Sequence, residues 1–221
     1  MDHLSLSISG LYNKLYAYFG DTGWWPAETR DEVVIGAILT QNTSWSNVEK
    51  ALFEMKRNGV RTLEDIASQP VEQLATYIRS SGFYNQKSRR LHNLATKILE
   101  KYGKLDSMSV ESMTDLENFL LPINGIGQET MDSILLYALD KPVFAVDKYT
   151  IRIFGRTGII DDPTLYSVKI AVNKDLGDDV PTLKNFHGML VYLAKDFCKT
   201  KPKCDECPVL NDCAYYKANR K

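Results

Sequence analysis

The sequence predicts an all-α protein. Apolar residues recur at helical spacing through most of the 221 positions, alternating apolar–polar runs are few, and glycine and proline punctuate the chain at short intervals. No internal repeat, low-complexity tract or long linker breaks that pattern. Hydrophobic residues at 44% and charged residues at 25% give the balance of a globular chain able to bury a substantial core.

The elements follow in order. Leu4 to Phe19 is amphipathic, with Leu11, Leu15 and Tyr18 in register, and Gly20-Asp21-Thr22-Gly23 ends it. Trp24-Trp25-Pro26 then forms a loop with two adjacent indoles, one of which is expected to face a cleft. Asp31 to Leu39 reads as a strongly apolar helix that stops abruptly at Thr40-Gln41-Asn42-Thr43. Trp45 opens a helix to about Lys56, and Val71 to Arg79 makes another, closed by Ser80-Ser81-Gly82. Tyr84 to Tyr102 carries an apolar stripe of Leu91, Leu94, Ala95, Ile98 and Leu99, and a short helix spans Thr114 to Leu120. Gln128 to Leu139 places Met131, Ile134, Leu135 and Ala138 on one face. Further helices run from just after Asp147 to Gly158, from Pro163 to Leu176 and from Thr182 to Phe197.

Two stretches carry chemistry. In Pro122-Ile123-Asn124-Gly125-Ile126-Gly127 the glycines allow positive φ and close approach of a partner, and a glycine turn opening a helix points backbone N–H groups outward, as an anion site needs. Such a turn is by itself more often a plain helix connection. The apolar run Val143 to Val146 delivers one carboxylate, Asp147, which is either a catalytic acid or a helix cap.

All four cysteines fall within the last part of the chain, as Cys198-x5-Cys204-x2-Cys207-x5-Cys213. Four thiolates so close in sequence suit one metal centre, with zinc and an iron–sulfur cluster as the alternatives. Only one close Cys-x-x-Cys pair is present, and the wide outer spacings favour a cubane-type cluster over zinc. The longest apolar run, Val33 to Leu39, is far shorter than a membrane span, and the N-terminal residues lack the basic-then-apolar layout of a secretion signal. A cytoplasmic protein is therefore expected, with no membrane partner. A net charge of −1 advertises no polyanionic partner, so local clusters matter more: Lys87, Arg89, Arg90 and Lys97 in one stretch, and Lys195, Lys199, Lys201 and Lys203 in another.

Taken jointly, these residues resemble the helix-hairpin-helix DNA glycosylases related to endonuclease III, over nearly the whole chain. The resemblance rests on Leu39-Thr40-Gln41, Gly82-Phe83-Tyr84-Asn85-Gln86-Lys87, Leu121-Pro122-x-x-Gly125-x-Gly127, Val146-Asp147 and the cysteines. It implies two helical domains, residues 25–135 and residues 1–24 with 136–221, flanking a cleft for double-stranded DNA with a damaged base flipped into a pocket. Carried over by position, Gly125 and Gly127 bind DNA phosphate, Gln41 fills the gap left by the flipped nucleotide, and Asp147 is the catalytic acid. Asn85, Lys87, Lys199, Lys201 and Lys203 are expected to touch DNA, and Cys198, Cys204, Cys207 and Cys213 to hold a 4Fe–4S cluster. A monomer associated with the nucleoid is the corresponding expectation.

The chain departs from the family pattern in two places. The first cysteine spacing is one residue short. More consequentially, bifunctional members carry a lysine two residues after the second hairpin glycine and form a Schiff base with it. Here that residue is Glu129, which cannot form an imine, so base removal without strand scission is expected. Within the family, Trp24-Trp25-Pro26, Thr40-Gln41-Asn42-Thr43 and Val146-Asp147-Lys148-Tyr149 look closest to the 3-methyladenine DNA glycosylase branch (the MagIII type), which also has glutamate at the hairpin position. In that branch an aromatic at the place of Trp45 stacks the alkylated base against the tryptophan–proline loop, although its described member lacks the cysteines. The implied pocket is thus Trp24, Trp25, Pro26 and Trp45, and aromatic faces suit cationic N3- or N7-methylated purines. Core packing is the plain reading of the three indoles, and Trp24 and Trp45 are taken as functional because they flank the helix carrying Gln41. The competing readings are a glycosylase for mismatched thymine or oxidised pyrimidine, with or without lyase activity, and a non-catalytic DNA-binding module.

Overall fold

The computed structural model describes residues 6–219, and among them there are helices and turns but no strand. The chain divides into two compact units, a central one of Ala27–Lys141 and a terminal one of Met1–Pro26 with Pro142–Lys221. The boundaries expected from the sequence lay at 24/25 and 135/136. The second shifts because the helix after the glycine turn continues through Ala138 and packs on the helix carrying residues 30–39, so it belongs wholly to the central unit.

The central unit is built around α2 (Arg30–Leu39), which is buried from Glu32 to Leu39. A helix apolar on all sides has to sit inside its unit. Thr29 caps it by accepting from the Glu32 backbone, and the buried Glu32 carboxylate is paired with Lys56. Around α2 lie α3 (Trp45–Arg57), α4 (Leu63–Ser68), α5 (Val71–Tyr77), α6 (Tyr84–Tyr102) and α7 (Met113–Leu120). α6 packs on α4 and α5 and buries Leu91, Leu94, Ala95 and Ile98 of the stripe read from the sequence, while its fifth member, Leu99, is half-buried. α4 was not expected, yet its start carries a capping box in which Thr62 and Asp65 satisfy each other's backbone N–H groups. α8 (Gln128–Ser133) runs directly into a π-helical turn, Ile134–Ala138, where the Leu139 amide reaches back to the Ile134 carbonyl.

In the terminal unit α11 (Val180–Asp196) is the buried axis, with Leu183, Phe186, Met189, Leu190 and Leu193 inside. α1 (Ile8–Phe19), α9 (Lys148–Thr157) and α10 (Leu165–Leu176) pack on this core. α1 starts at Ile8 because Ser7 caps it, and the first residues of the expected Leu4–Phe19 helix, Leu4 and Ser5, lie outside the described residues. The cysteine segment ends in a short helix not expected from the sequence, α12 (Ala214–Asn219), which packs against α9.

Candidate functional site

In the central unit, three segments meet at Gln41. This residue lies just past the C-terminus of α2, and its amide nitrogen donates to the Gly125 carbonyl at 2.9 Å and to Thr130 Oγ1 at 3.1 Å. Its amide oxygen accepts from Arg90 of α6 at 2.9 Å. The two glycines of the turn turn out to do different things. Gly125 has φ +91°, and a Cβ there would stand 2.3 Å from Cδ of Arg90, so both its conformation and its neighbour require glycine. Gly127 is extended, with φ −96°, caps α8, and would meet nothing within 4 Å if given a Cβ. Nothing in the chain itself therefore demands glycine at 127. Glu129 is exposed in the first turn of α8, where a carboxylate complements the positive end of the helix.

Lys87 differs from expectation. Its side chain is 1% exposed, and its ammonium donates to the carbonyls of Leu39 and Ser81, both at 2.7 Å. It therefore presents no charge to an approaching phosphate. Instead it ties the last carbonyl of α2 to the turn before Gly82, and so links the loop of Gln41 to the loop of Phe83. Each of those loops holds a non-glycine residue with positive φ, Asn42 at +56° and Phe83 at +47°. Such conformations persist only where surrounding contacts over-determine them, and they gather at functional sites. Phe83 is 67% exposed and Asn85 is exposed beside it. The sequence reading passed over Phe83 as a functional residue, since only the structure reveals a large ring held in solvent by a strained backbone.

In the terminal unit, Asp147 is the N-cap of α9. Its Oδ1 accepts from the Thr150 backbone at 2.7 Å and from Thr150 Oγ1 at 2.9 Å. Oδ2 lies 3.9 Å from Nε2 of His187, and the Asp147 side chain is 13% exposed. The two roles weighed for this aspartate are thus compatible: one oxygen caps the helix while the other is oriented by it. His187, on α11, was not singled out from the sequence. It is buried against the Phe144 ring, and burial pushes its pKa down against the opposing pull of Asp147.

α11 also seats the tryptophan loop. Asn185 accepts from the Thr22 backbone and hydroxyl and donates to the Gly20 carbonyl. A Cβ at Gly188 would lie 2.5 Å from Cβ of Trp24, so the loop rests directly on the helix backbone. The Lys195 ammonium sits 5.1 Å over the Trp24 ring and Tyr192 meets its edge. Trp24 is consequently packed into the terminal unit, with one face covered by a cation. Trp25 is half-buried and Pro26 exposed at the same loop, and Trp45, half-buried, opens α3 in the central unit.

The four cysteines line one cavity with Leu193, Phe197, Val209, Leu210, Tyr215 and Tyr216. Burial pushes the Cys207 thiol up to about 11, and Cys204 is raised by burial and by its neighbours Cys213 and Cys198. Among the described residues, no three His, Cys, Asp or Glu side chains converge as a single metal ion requires. α9 anchors the segment: Arg152 donates to the Cys198 carbonyl, and Arg156 to Cys198 Sγ and to the Lys199 and Thr200 carbonyls. Lys199, Lys201 and Lys203 are exposed on the same loop.

Residues 35–175 match the family model described as "HhH-GPD superfamily base excision DNA repair protein". The chain belongs to this superfamily. It is 44% identical over 212 residues to a candidate DNA repair glycosylase of Methanocaldococcus jannaschii, covering 93% of this chain and 95% of the relative. It is 32% identical to an endonuclease III of Thermotoga maritima, covering 86% of this chain and 84% of the relative. The crystal structure of the H. pylori 3-methyladenine DNA glycosylase (MagIII) bound to 1,N6-ethenoadenine matches with a TM-score of 0.76 at 29% identity, over 84% of this chain and 95% of that one.

Membership in the HhH-GPD superfamily accounts for the all-helical fold and the glycine turn between α7 and α8. The matched segment contains Gln41, Lys87, Gly125, Gly127 and Asp147 and stops short of the cysteines. No described helix is long and apolar enough to cross a membrane.

Proposed function

We propose that the protein is a monofunctional DNA N-glycosylase that removes an alkylated purine of the 3-methyladenine type. The observation that carries this reading is Asp147. Its Oδ1 is fixed by Thr150, so the carboxylate holds one orientation, with His187 3.9 Å behind Oδ2 and no lysine at the hairpin position, which is Glu129.

The chemistry follows from those groups. An N3- or N7-methylated purine carries a positive charge and leaves with the electron pair of the C1′–N bond, so it departs neutral. Positive charge then develops on the sugar, where a nearby carboxylate stabilises it. Water forms the new bond to C1′ and gives its proton to Asp147. The substrate supplies much of its own leaving-group activation, and one carboxylate suffices. The indoles of Trp24, Trp25 and Trp45 suit a cationic base, with stacking at about 1–3 kcal/mol per base offsetting the cost of flipping.

For DNA contact we infer Gln41 in the vacated position, backbone amides at Gly125 and Gly127 on phosphate, and support from Asn85, Lys199, Lys201 and Lys203. The open space at Gly127 supports this, as does the lack of any internal need for glycine there. The cysteines fit a 4Fe–4S cluster: all four line one largely apolar cavity, and four thiolates are the donor set such a cluster takes. The cluster, when bound, fixes the segment that bears the three exposed lysines. Absorbance near about 400 nm, lost in Cys204→Ser, is the expected signature, and a colourless zinc protein would contradict it.

The decisive assay offers duplexes containing 3-methyladenine, T opposite G, or an oxidised pyrimidine, and measures free base by chromatography. Release of 3-methyladenine at a rate at least tenfold above the others is expected. Preferential release of thymine or oxidised pyrimidine would replace the substrate assignment, and release of nothing with binding retained would favour a non-catalytic module.

A further inference from the structure

The Gln41 amide is engaged at both its nitrogen and its oxygen. Both hydrogens of its nitrogen are taken, by the Gly125 carbonyl and Thr130 Oγ1, and its oxygen takes Arg90. Arg90 is in the opposite condition. Of the five N–H donors of a guanidinium, its only hydrogen bond among the described residues goes to Gln41, and its buried Nε has no partner. No described carboxylate lies within ion-pair distance of it. Its stem lies directly on Gly125, the turn residue, at a distance that excludes any side chain there. The other cation nearby, Lys87 on the preceding turn of α6, is buried and bonded only to carbonyls. Arg90 therefore sits against the hairpin turn with no acidic partner, which is a deficit that an anion would fill.

We propose that the Gln41–Arg90 bond is a latch, and that Arg90 contacts a DNA backbone phosphate beside Gly125 once Gln41 leaves the hairpin. The inference rests on the DNA-binding reading above and adds a residue and a coupling to it. For Gln41 to enter a duplex, all three of its bonds must break, and the break that releases the amide also releases the guanidinium. Arg90 is then already positioned: its stem is held by Gly125, and its planar fork suits a phosphate. Release of the finger and creation of the phosphate contact become one event.

The test is the salt dependence of binding, because a phosphate contact changes it and a purely positioning role does not. The probe is a duplex of about 20 base pairs bearing a tetrahydrofuran abasic analogue, titrated by anisotropy between about 0.05 and 0.4 M NaCl. Arg90→Met should bind roughly tenfold more weakly near 0.1 M salt and lose about 0.9 from the slope of log K against log salt. Arg90→Lys should keep the slope. Gln41→Ala should keep it too, and Gln41→Ala/Arg90→Met should lose as much slope as Arg90→Met alone. Weaker binding by Arg90→Met with the wild-type slope would overturn the phosphate contact and leave Arg90 as a support for Gln41. Should Arg90→Met not fold by circular dichroism, Arg90→Gln is read in the same way. A wild-type protein that binds the duplex with no salt dependence would instead overturn the DNA-binding reading beneath the proposal, a result distinguishable from the first.

Discussion

At the scale of single residues, Asp147 joins two functions that mutation separates. Asparagine caps a helix about as well as aspartate, whereas alanine at such a position costs about 0.5–2 kcal/mol. Asp147→Asn should therefore keep its melting temperature within a few degrees of wild type, keep DNA binding, and lose at least about 100-fold in excision rate. Asp147→Ala should lose both activity and stability. Full activity in the asparagine variant would remove the carboxylate from the chemistry. Lys87 is informative through pH. Burial, with a smaller contribution from the neighbouring Arg90 charge, pushes its ammonium down from 10.5 to about 8. Below about pH 8 the folded state carries the whole penalty of the buried charge. Between about 8 and 10.5 the unfolded chain still holds a proton that the folded chain has released, so this group's contribution to stability rises with pH and falls again as pH drops through 8. The stability of wild type relative to Lys87→Met, measured by urea unfolding, should thus shift toward wild type from about pH 7.5 to 10. A difference flat with pH would mean that the ammonium is not desolvated.

At the scale of elements, the hairpin turn makes a paired prediction. Gly125→Ala forces a side chain into φ +91° and against Arg90, so it should destabilise the fold by more than about 1 kcal/mol in thermal unfolding. Gly127→Ala meets no atom and needs no unusual φ, so it should unfold like wild type yet bind all DNA sequences more weakly by a similar factor. Equal destabilisation by both would contradict the division of labour drawn here. These elements were legible to different degrees. α6 was readable end to end because its apolar stripe marks it, and the Asp147 cap because one acid follows an apolar run. The short α4 was missed although Thr62 and Asp65 spell its capping box, since six residues give too little periodicity to weigh. Lys87 was misplaced for a physical reason: a lysine among other basic residues reads as solvated, and only three dimensions show two carbonyls waiting for its ammonium. His187 left no signal at all, and Arg90 appeared only as one of a basic cluster, because their significance is a neighbour 40 or 35 positions away in Asp147 and Gly125.

At the scale of the whole molecule, the chain carries four cysteines in its last part together with a glutamate at residue 129 of the hairpin. α9 links the two ends of the terminal unit, since it begins at Asp147 and its Arg152 and Arg156 grip the segment at Cys198. The cysteine loop is therefore tied to the helix whose N-cap is proposed to act on the sugar. Strand cleavage turns on a different group, an amine able to reach C1′. Lys148, next to Asp147, has its ammonium over the Tyr149 ring at 5.7 Å, and residue 129 is acidic. Incubation with lesion-bearing duplex and borohydride should consequently yield no covalent protein–DNA adduct, and the abasic product should break only after alkali. Glu129→Lys restores the amine at the hairpin position and should introduce a trappable adduct, with base release retained if Asp147 remains the group that acts on the sugar. An adduct with wild-type protein that persists in Lys148→Met would overturn the monofunctional reading and point to a nucleophile elsewhere, whereas one abolished by Lys148→Met would identify that lysine as the source.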